Sequence, residues 1–357
     1  MGVTHLFRHV EGHTTARYFE SVARANPATK LKVWTSRPDL EHIGPDDLFV
    51  HIDPASDWPI GLEELPCPAI AYLIDVHQNL EVRLELSRFF DAVFIAQKDY
   101  LPAFTAIGHR HAYWLPLGCD PVLHHVPSET RDLDVGFVGN LGAVGTPRNT
   151  VLTSVLPRYA TNDTTRFYPP EEMARIYGRS KIVFNVSVNG DVNMRAFEAL
   201  AAGALLVTDR IGNGFDEIFQ DGVNCVCYSD IDEAIARIDH YLAHDDEREA
   251  IAVEGMRFAL SQCTYRHRWD TMMSHAQAVQ GSAPARGYGR SELVTTYARI
   301  FSNLRMPWRM PAVCARYGVN PASLAETGRG LLRWANTKVP LTPNALRARL
   351  RNRPGRR

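Results

Sequence analysis

Short apolar runs rich in β-branched and aromatic residues alternate with amphipathic stretches through about residue 280. The runs predict strands at His5–Val10, Leu31–Thr35, Leu48–Ile52, Ala69–Ile74, Ala92–Ile95 and Tyr113–Leu117. Residues 121–132 are polar, carry two prolines and read as a linker. A second series follows at Asp134–Val138, Thr165–Tyr168, Ile182–Val186, Leu205–Thr208 and Cys225–Tyr228. Helical stretches separate these, at Glu171–Tyr177, Asn193–Ala202 and Asp230–Leu242, and two more follow at Glu247–Leu260 and Tyr265–Val279. The strands are mostly apolar throughout rather than alternating, as in parallel strands covered on both faces. The expected fold is α/β, with two tandem Rossmann-like doubly wound domains and a basic, partly helical C-terminal tail. The expected boundaries are 1–120 for a first Rossmann-like domain, 121–132 for the linker and 133–264 for a second. A closing helix would follow at 265–281 and a basic extension at 282–357, with short helices at Glu292–Leu304, Leu331–Asn336 and Ala345–Arg351.

Composition narrows the class. A chain of 357 residues supports about two domains. Six scattered Cys form no C-x-x-C pair, which argues against a zinc site or disulfide framework and suits a reducing compartment. No apolar run approaches the roughly 18 residues of a membrane span, and the start has no basic-then-apolar leader pattern. The expectation is a cytoplasmic protein. Its net charge of −1 hides an asymmetry: residues 282–357 hold 15 Lys and Arg against Glu292 and Glu326. Arg dominates there, and Trp308 and Trp334 are interleaved. Such a tail fits an anionic membrane surface, an acidic partner protein, the acidic body of the chain itself, or nonspecific nucleic-acid contact.

Ligands of parallel α/β sheets bind beyond the carboxyl ends of the strands, so chemistry is sought there. One candidate is the turn Gly139-Asn-Leu-Gly142-Ala-Val-Gly145-Thr146-Pro147-Arg148. Its glycines allow close backbone approach to an anion, Thr146 and Pro147 open a helix, and Arg148 adds charge. A flexible strand-to-helix turn is the alternative. A second candidate runs Asn185-Val-Ser-Val-Asn189-Gly190-Asp191-Val-Asn193-Met-Arg195-Ala-Phe-Glu198. Asp191 or Asn193 can cap the helix. Arg195 lies in its first turn, where the helix dipole disfavours a cation unless an anion is present. Glu198 follows one turn on among apolar residues, so it needs a partner: Arg195 itself, or a ligand. A third candidate is Asp75 with His77 after a first-domain strand, where an acid–base pair or a sugar contact fits, as does a structural His. His5, His9 and His13 with Glu11 lie on no common helix face, so no metal is expected there.

The run from Asn185 through Arg195, Glu198 and Gly203 to Asp209, continued by Glu217-Ile-Phe-Gln-Asp-Gly222, resembles the second domain of group 1 glycosyltransferases of the GT-B fold. With Asp75-Val-His77, Trp114-Leu-Pro-Leu-Gly-Cys-Asp120 and Asp134-Val-Gly-Phe-Val-Gly139 it is most similar to the CgeB-like, or spore-maturation-protein-like, branch. The resemblance spans about residues 45–275. It implies transfer of a sugar from a nucleotide-sugar donor to a glycan, lipid-linked or protein acceptor, with no cofactor and no metal. It also implies Glu198 on the ribose and Gly139, Gly142, Arg148 and Arg195 around the diphosphate, with Asn189 and Asp191 near the sugar. His77 and Asp75 would stand at the reaction centre. Many group 1 enzymes carry a second glutamate eight residues before the ribose-binding one; here that position is Gly190, with Asp191 adjacent. A nucleotide-sugar epimerase of the same fold and a non-catalytic nucleotide- or sugar-binding module are the alternatives. No specific nucleic-acid partner is expected.

Overall fold

The computed structural model describes residues 2–8, 14–53, 58–126, 130–279 and 288–338. The first lobe opens with β1 (Val3–Phe7), α1 (Thr14–Ala25), β2 (Lys30–Trp34), β3 (Leu48–Ile52) and β4 (Ala69–Leu73). It continues with α2 (Leu80–Ser87), β5 (Ala92–Ile95), α3 (Leu101–Ala106) and β6 (Ala112–Trp114). The six strands form one parallel sheet in the order β2-β1-β3-β4-β5-β6. The order reverses at β1, so the ends of β1 and β3 open a crevice. The central strands β4 and β5 are buried at every position, while the edge strand β2 carries Lys30 and Lys32 toward solvent. Charged edges resist pairing with another chain.

A short helix α4 (Pro121–His124), capped by the Asp120 side chain, lies where the sequence reads as linker. The second lobe then runs β7 (Leu133–Gly136), α5 (Pro147–Val155), α6 (Pro170–Arg179), β8 (Ser180–Asn185) and α7 (Met194–Ala201). After these come β9 (Leu205–Asp209), β10 (Val226–Tyr228), α8 (Ile231–Ala243), α9 (Asp245–Gln262) and α10 (Tyr265–Val279). Its four strands are parallel in the order β10-β9-β8-β7.

The chain crosses between lobes twice, and the crossings touch. Cys119 N–H donates to the Cys263 carbonyl at 2.9 Å, and Tyr265 N–H donates to the Cys119 carbonyl at 2.9 Å. Beyond the second crossing, α10 returns to the first lobe, where Trp269 and Tyr265 pack on Phe19.

Two expectations fail. Thr165–Tyr168 is not a strand. Asp163 accepts from both the backbone N–H and the hydroxyl of Thr165, and this side-chain turn overrides the local β-propensity. The C-terminal segment is also more structured than short helices in a tail. It holds α11 (Arg290–Asn303), α12 (Met310–Tyr317) and α13 (Pro321–Lys338). Leu293, Tyr297, Phe301, Met310 and Val313 join Trp58, Phe89 and Phe90 in one buried cluster, so these helices complete the outer face of the first lobe. Their charges also pair with that lobe, as Arg88–Glu292 at 2.9 Å and Arg299–Glu85 at 2.7 Å. The expected helix at Ala345–Arg351 lies outside the described residues.

Candidate active site

The two sheets direct the carboxyl ends of their strands at a shared cavity of about 810 Å³. This falls within the usual range for small-molecule sites. It is lined from the first lobe by Asp75, His77 and Gln97, and from the second by Asn140, Gly142, Arg148, Asp191, Asn193, Arg195 and Glu198.

On the second-lobe wall, β7 ends in a turn pinned by Asn162, which accepts from Phe137 N–H at 2.9 Å and donates to the Phe137 carbonyl at 2.8 Å. Gly139 follows at φ +152, and a Cβ there would stand 2.2 Å from Arg195 Nη2. Only glycine lets the turn lie against that guanidinium. Arg195 donates to the Val138 carbonyl through Nε at 3.2 Å and Nη2 at 2.8 Å, and to Asn185 Oδ1 through Nη1 at 2.7 Å. Asn185 is held in turn by its amide, which donates to Thr208 Oγ1 at 2.9 Å. Arg148, in the first turn of α5 behind the Thr146 cap, donates to the Asn140 carbonyl at 3.0 Å and to the Val186 carbonyl.

Both guanidinium groups lie over the Phe137 ring, 4.5 Å from its centroid for Arg195 and 5.7 Å for Arg148. Among the described residues neither makes an ion pair with a carboxylate. Burial, and then repulsion from Arg195, push the Arg148 pKa down to about 10. Two unneutralised cations share this wall with the α7 N-terminus, whose cap residue Asn193 leaves the first-turn N–H groups without a side-chain bond. An anion there relieves the repulsion and meets the positive end of the helix dipole.

Glu198 lies one turn deeper and is 5% exposed. Burial raises its pKa to about 7 against the opposing pull of Arg195. Among the described residues it does not ion-pair with Arg195, so the structural pair conceivable from sequence is not formed. Its neighbour is His124 of α4, with Nε2 3.7 Å from Glu198 Oε1 and 3.3 Å from the Tyr18 hydroxyl. Asp120 N–H donates to His124 Nδ1 at 3.0 Å, which assigns the ring proton to Nε2. Burial takes the His124 pKa down to about 4, so the ring is neutral.

On the opposite wall Asp75 adopts a left-handed backbone at φ +48, uncommon for a non-glycine residue, and opens a tight turn that presents His77. His77 Nδ1 stands 3.0 Å from Asp191 Oδ2 across the cleft. The pair is within ion-pair distance but does not have hydrogen-bond geometry. The other Asp191 oxygen accepts from Asn213 Nδ2 at 3.1 Å. Asp191 is raised to about 6, by burial first, with His77 opposing and Asp75 adding to the rise. Asp75, His77 and Asp191 each offer one ligand atom, all within 4.8 Å of one another, a set that can accept a divalent cation.

The fold thus brings Asp75, His77, Gly142, Arg148, Asp191, Arg195 and Glu198 to one cavity, with Gly139 shaping its wall. Asn189 does not line it: this residue is exposed, at φ +55. His5 bonds Asp47 and Trp34 instead, while His9, His13 and Glu11 lie outside the described residues. Sequence reasoning missed Tyr18, His124, Gln97 and Asn213, and also Phe167, which lines the cavity 84% exposed. No local pattern marks these residues, because their partners are distant in the chain.

Residues 122–274 match the family described as glycosyl transferase-like. A D-inositol 3-phosphate glycosyltransferase of Salinispora arenicola is 30% identical over 179 residues, which covers 47% of this chain and 38% of that protein. The chain therefore matches well under half of that relative's length. Anabaena Alr3699/HepE, solved with UDP and glucose, superposes with a TM-score of 0.58 at 13% identity, covering 78% of this chain and all of that one. Sucrose-phosphate synthase from Thermosynechococcus elongatus gives 0.57 at 10% identity, covering 79% and 100%. The chain has the GT-B fold, and its residues 122–274 carry the glycosyl transferase-like pattern.

Proposed function

We propose that the protein transfers a sugar from a nucleoside-diphosphate sugar to an acceptor hydroxyl, without a metal ion. The observation that carries this reading is the pair Arg148 and Arg195. Among the described residues they pair with no carboxylate; they lie over one ring at a helix N-terminus, with a buried glutamate one turn below. This is a cradle for a diphosphate with a ribose behind it. The relative from Salinispora is a glycosyltransferase by name, and HepE was also solved with UDP-glucose. Within the glycosyl transferase-like group, Asp75-Val-His77 and the run from Trp114 to Asp120 support a place beside the CgeB-like branch.

In the proposed reaction the bond from the sugar anomeric carbon to the β-phosphate oxygen breaks. The electron pair leaves on the nucleoside diphosphate, where Arg148, Arg195 and the α7 dipole stabilise the growing charge. The acceptor oxygen bonds to the anomeric carbon and loses its proton. In an inverting enzyme His77 or Asp75 takes that proton; in a retaining one the two residues position the sugar and the phosphate takes it. Asp191 holds His77 in place. The acceptor is a glycan, a lipid-linked or a protein hydroxyl on the cytoplasmic side.

A thermal-shift screen against UDP-, GDP- and ADP-sugars tests the donor. A true donor at 100 times its dissociation constant adds about 2.7 kcal/mol of stability. Transfer of labelled sugar should then survive chelation of divalent ions. No stabilisation by any nucleotide sugar would overturn the reading, and loss of transfer on chelation would move the cation to Asp75, His77 and Asp191.

A further inference from the structure

The C-terminal helices have a second face that the first lobe does not cover. Helix α13 packs on α11 through Ser323, which is 1% exposed, and Gly330, where a Cβ would stand 2.9 Å from the Ser302 Cα. The opposite side of α13 is apolar and open. Leu324 is 59% exposed, Leu331 50% and Leu332 67%, and the exposed Ala325 lies between. Positions 324, 328, 331, 332 and 335 fall on one stripe at helical spacing, and each is Leu, Gly or Ala. Trp334 borders this stripe and meets Trp308 edge to face with ring centroids 6.4 Å apart. Trp308 is 56% exposed. Three outward leucines beside two tryptophans are unusual on a surface facing only water.

The surrounding helices are predominantly basic, with Arg299 and Arg316 paired to Glu85 and Glu64 of the first lobe. Residues 288–338 contain eight Arg and Lys and two acids. The two acids are engaged: Glu292 pairs with Arg88, and Glu326 with Arg329. The sequence beyond Lys338 adds six Arg and no acid. We propose that the outward stripe of α13, with the Trp308–Trp334 corner and its arginine surround, is a docking surface for an anionic lipid bilayer.

Charge complementarity selects this occupant. A second copy of the chain would bring two arginine-rich faces together. A bilayer offers what the face asks for in layers: acyl chains for the leucines, a headgroup boundary for the tryptophans, and phosphates for the arginines. A helix lying in the interface needs no span, and among the described residues no helix is long and apolar enough to cross a membrane. The proposal stands on the C-terminal helices alone and is independent of the reaction at the cleft.

The test is co-sedimentation of the full-length protein with phosphatidylglycerol-containing vesicles, with phosphatidylcholine vesicles as the comparison. At low salt the protein should pellet with the anionic vesicles only and be released as salt rises, because each phosphate contact is screened. The double variant Leu331→Glu/Leu332→Glu changes exposed positions, so its melting temperature should be unchanged while vesicle binding falls at least tenfold. Failure of the wild type to pellet with anionic vesicles at low salt overturns the proposal. So does unchanged binding by the double variant, which would leave the arginines alone responsible. Sedimentation velocity without lipid covers the remaining occupant: a dimer that the double variant abolishes, with no vesicle binding, would make this face a self-contact instead.

Discussion

Glu198 shows how one buried carboxyl ties stability to ligand binding. Its pKa is raised to about 7, mainly by burial. Between its ordinary value of 4.5 and about 7 the unfolded chain loses this proton while the folded one keeps it. The unfolded state then binds fewer protons, so this group makes stability fall as pH rises through that window. Glu198→Gln removes the effect, and the variant should gain stability relative to wild type between pH 5 and 8, measured by denaturant unfolding. In the proposed site ribose hydroxyls would donate to the ionised carboxylate, so nucleotide affinity should move the other way. If only the ionised form binds, affinity at pH 6 should be about tenfold below that at pH 8, and the Gln variant should lack this dependence. At neutral pH the Gln variant should lose about 1.5–3 kcal/mol of nucleotide affinity, the scale of a hydrogen bond to a charged group. Across the cleft, His77→Ala should cut transfer while nucleotide affinity, measured by calorimetry, stays nearly intact. His77 touches Asp191 but none of the groups assigned to the nucleotide. Survival of transfer would make this histidine structural.

The proposed phosphate wall is a property of two elements held in register. The turn after β7 and the first turn of α7 fit together because Gly139 leaves room for Arg195, which binds the Val138 carbonyl twice. Gly139→Ala should displace the guanidinium and weaken nucleoside diphosphate binding while changing nucleoside binding little. Arg195→Ala should act in the same direction, with a larger loss for the diphosphate than for the monophosphate, read by calorimetry. Equal losses for the two ligands would remove the phosphate role from this residue. Single strands and helices were the most legible part of the sequence. Leu48–Ile52 and Ala92–Ile95 were read as strands at their observed bounds, and the helix bearing Arg195 and Glu198 stood where its caps and spacing put it. Such features are local, written in periodicity and turn residues. What stayed hidden is long-range. His77 and Asp191 lie 114 positions apart, and Tyr18 and His124 lie 106 apart. No spacing rule marks either pair. At Thr165–Tyr168 the sequence misled, because the Asp163 side chain holds Thr165 in a turn against the local β-propensity.

At the scale of the whole molecule, the asymmetry of charge was legible but its structural meaning was not. The basic segment looked separable, yet its helices supply nine of the 27 described buried residues of one core. Tyr297 Oη accepts from Gly61 N–H at 2.8 Å and donates to Glu63 at 2.7 Å, while Phe301 is fully buried beside it. The cluster they join also contains Val76, the residue immediately before His77. The C-terminal helices therefore pack into the same core as the turn that presents His77, whereas Arg148, Arg195 and Glu198 belong to the other lobe. This division makes a prediction that no single site could give. Phe301→Ala leaves a cavity in the first lobe and should cost about 3–5 kcal/mol of stability in denaturant unfolding. Below its melting temperature the variant should bind nucleoside diphosphate with nearly wild-type affinity, because that cradle is built on the second sheet. Transfer should fall, because the loosened packing under Val76 lets His77 drift from Asp191, and displacement of a reacting group by about 1 Å can cost 100-fold. Calorimetry and turnover on the same preparation separate the two effects. A parallel drop in nucleotide affinity would mean that the lobes share one cooperative core, and that the C-terminal helices stabilise the phosphate wall as much as the turn bearing His77.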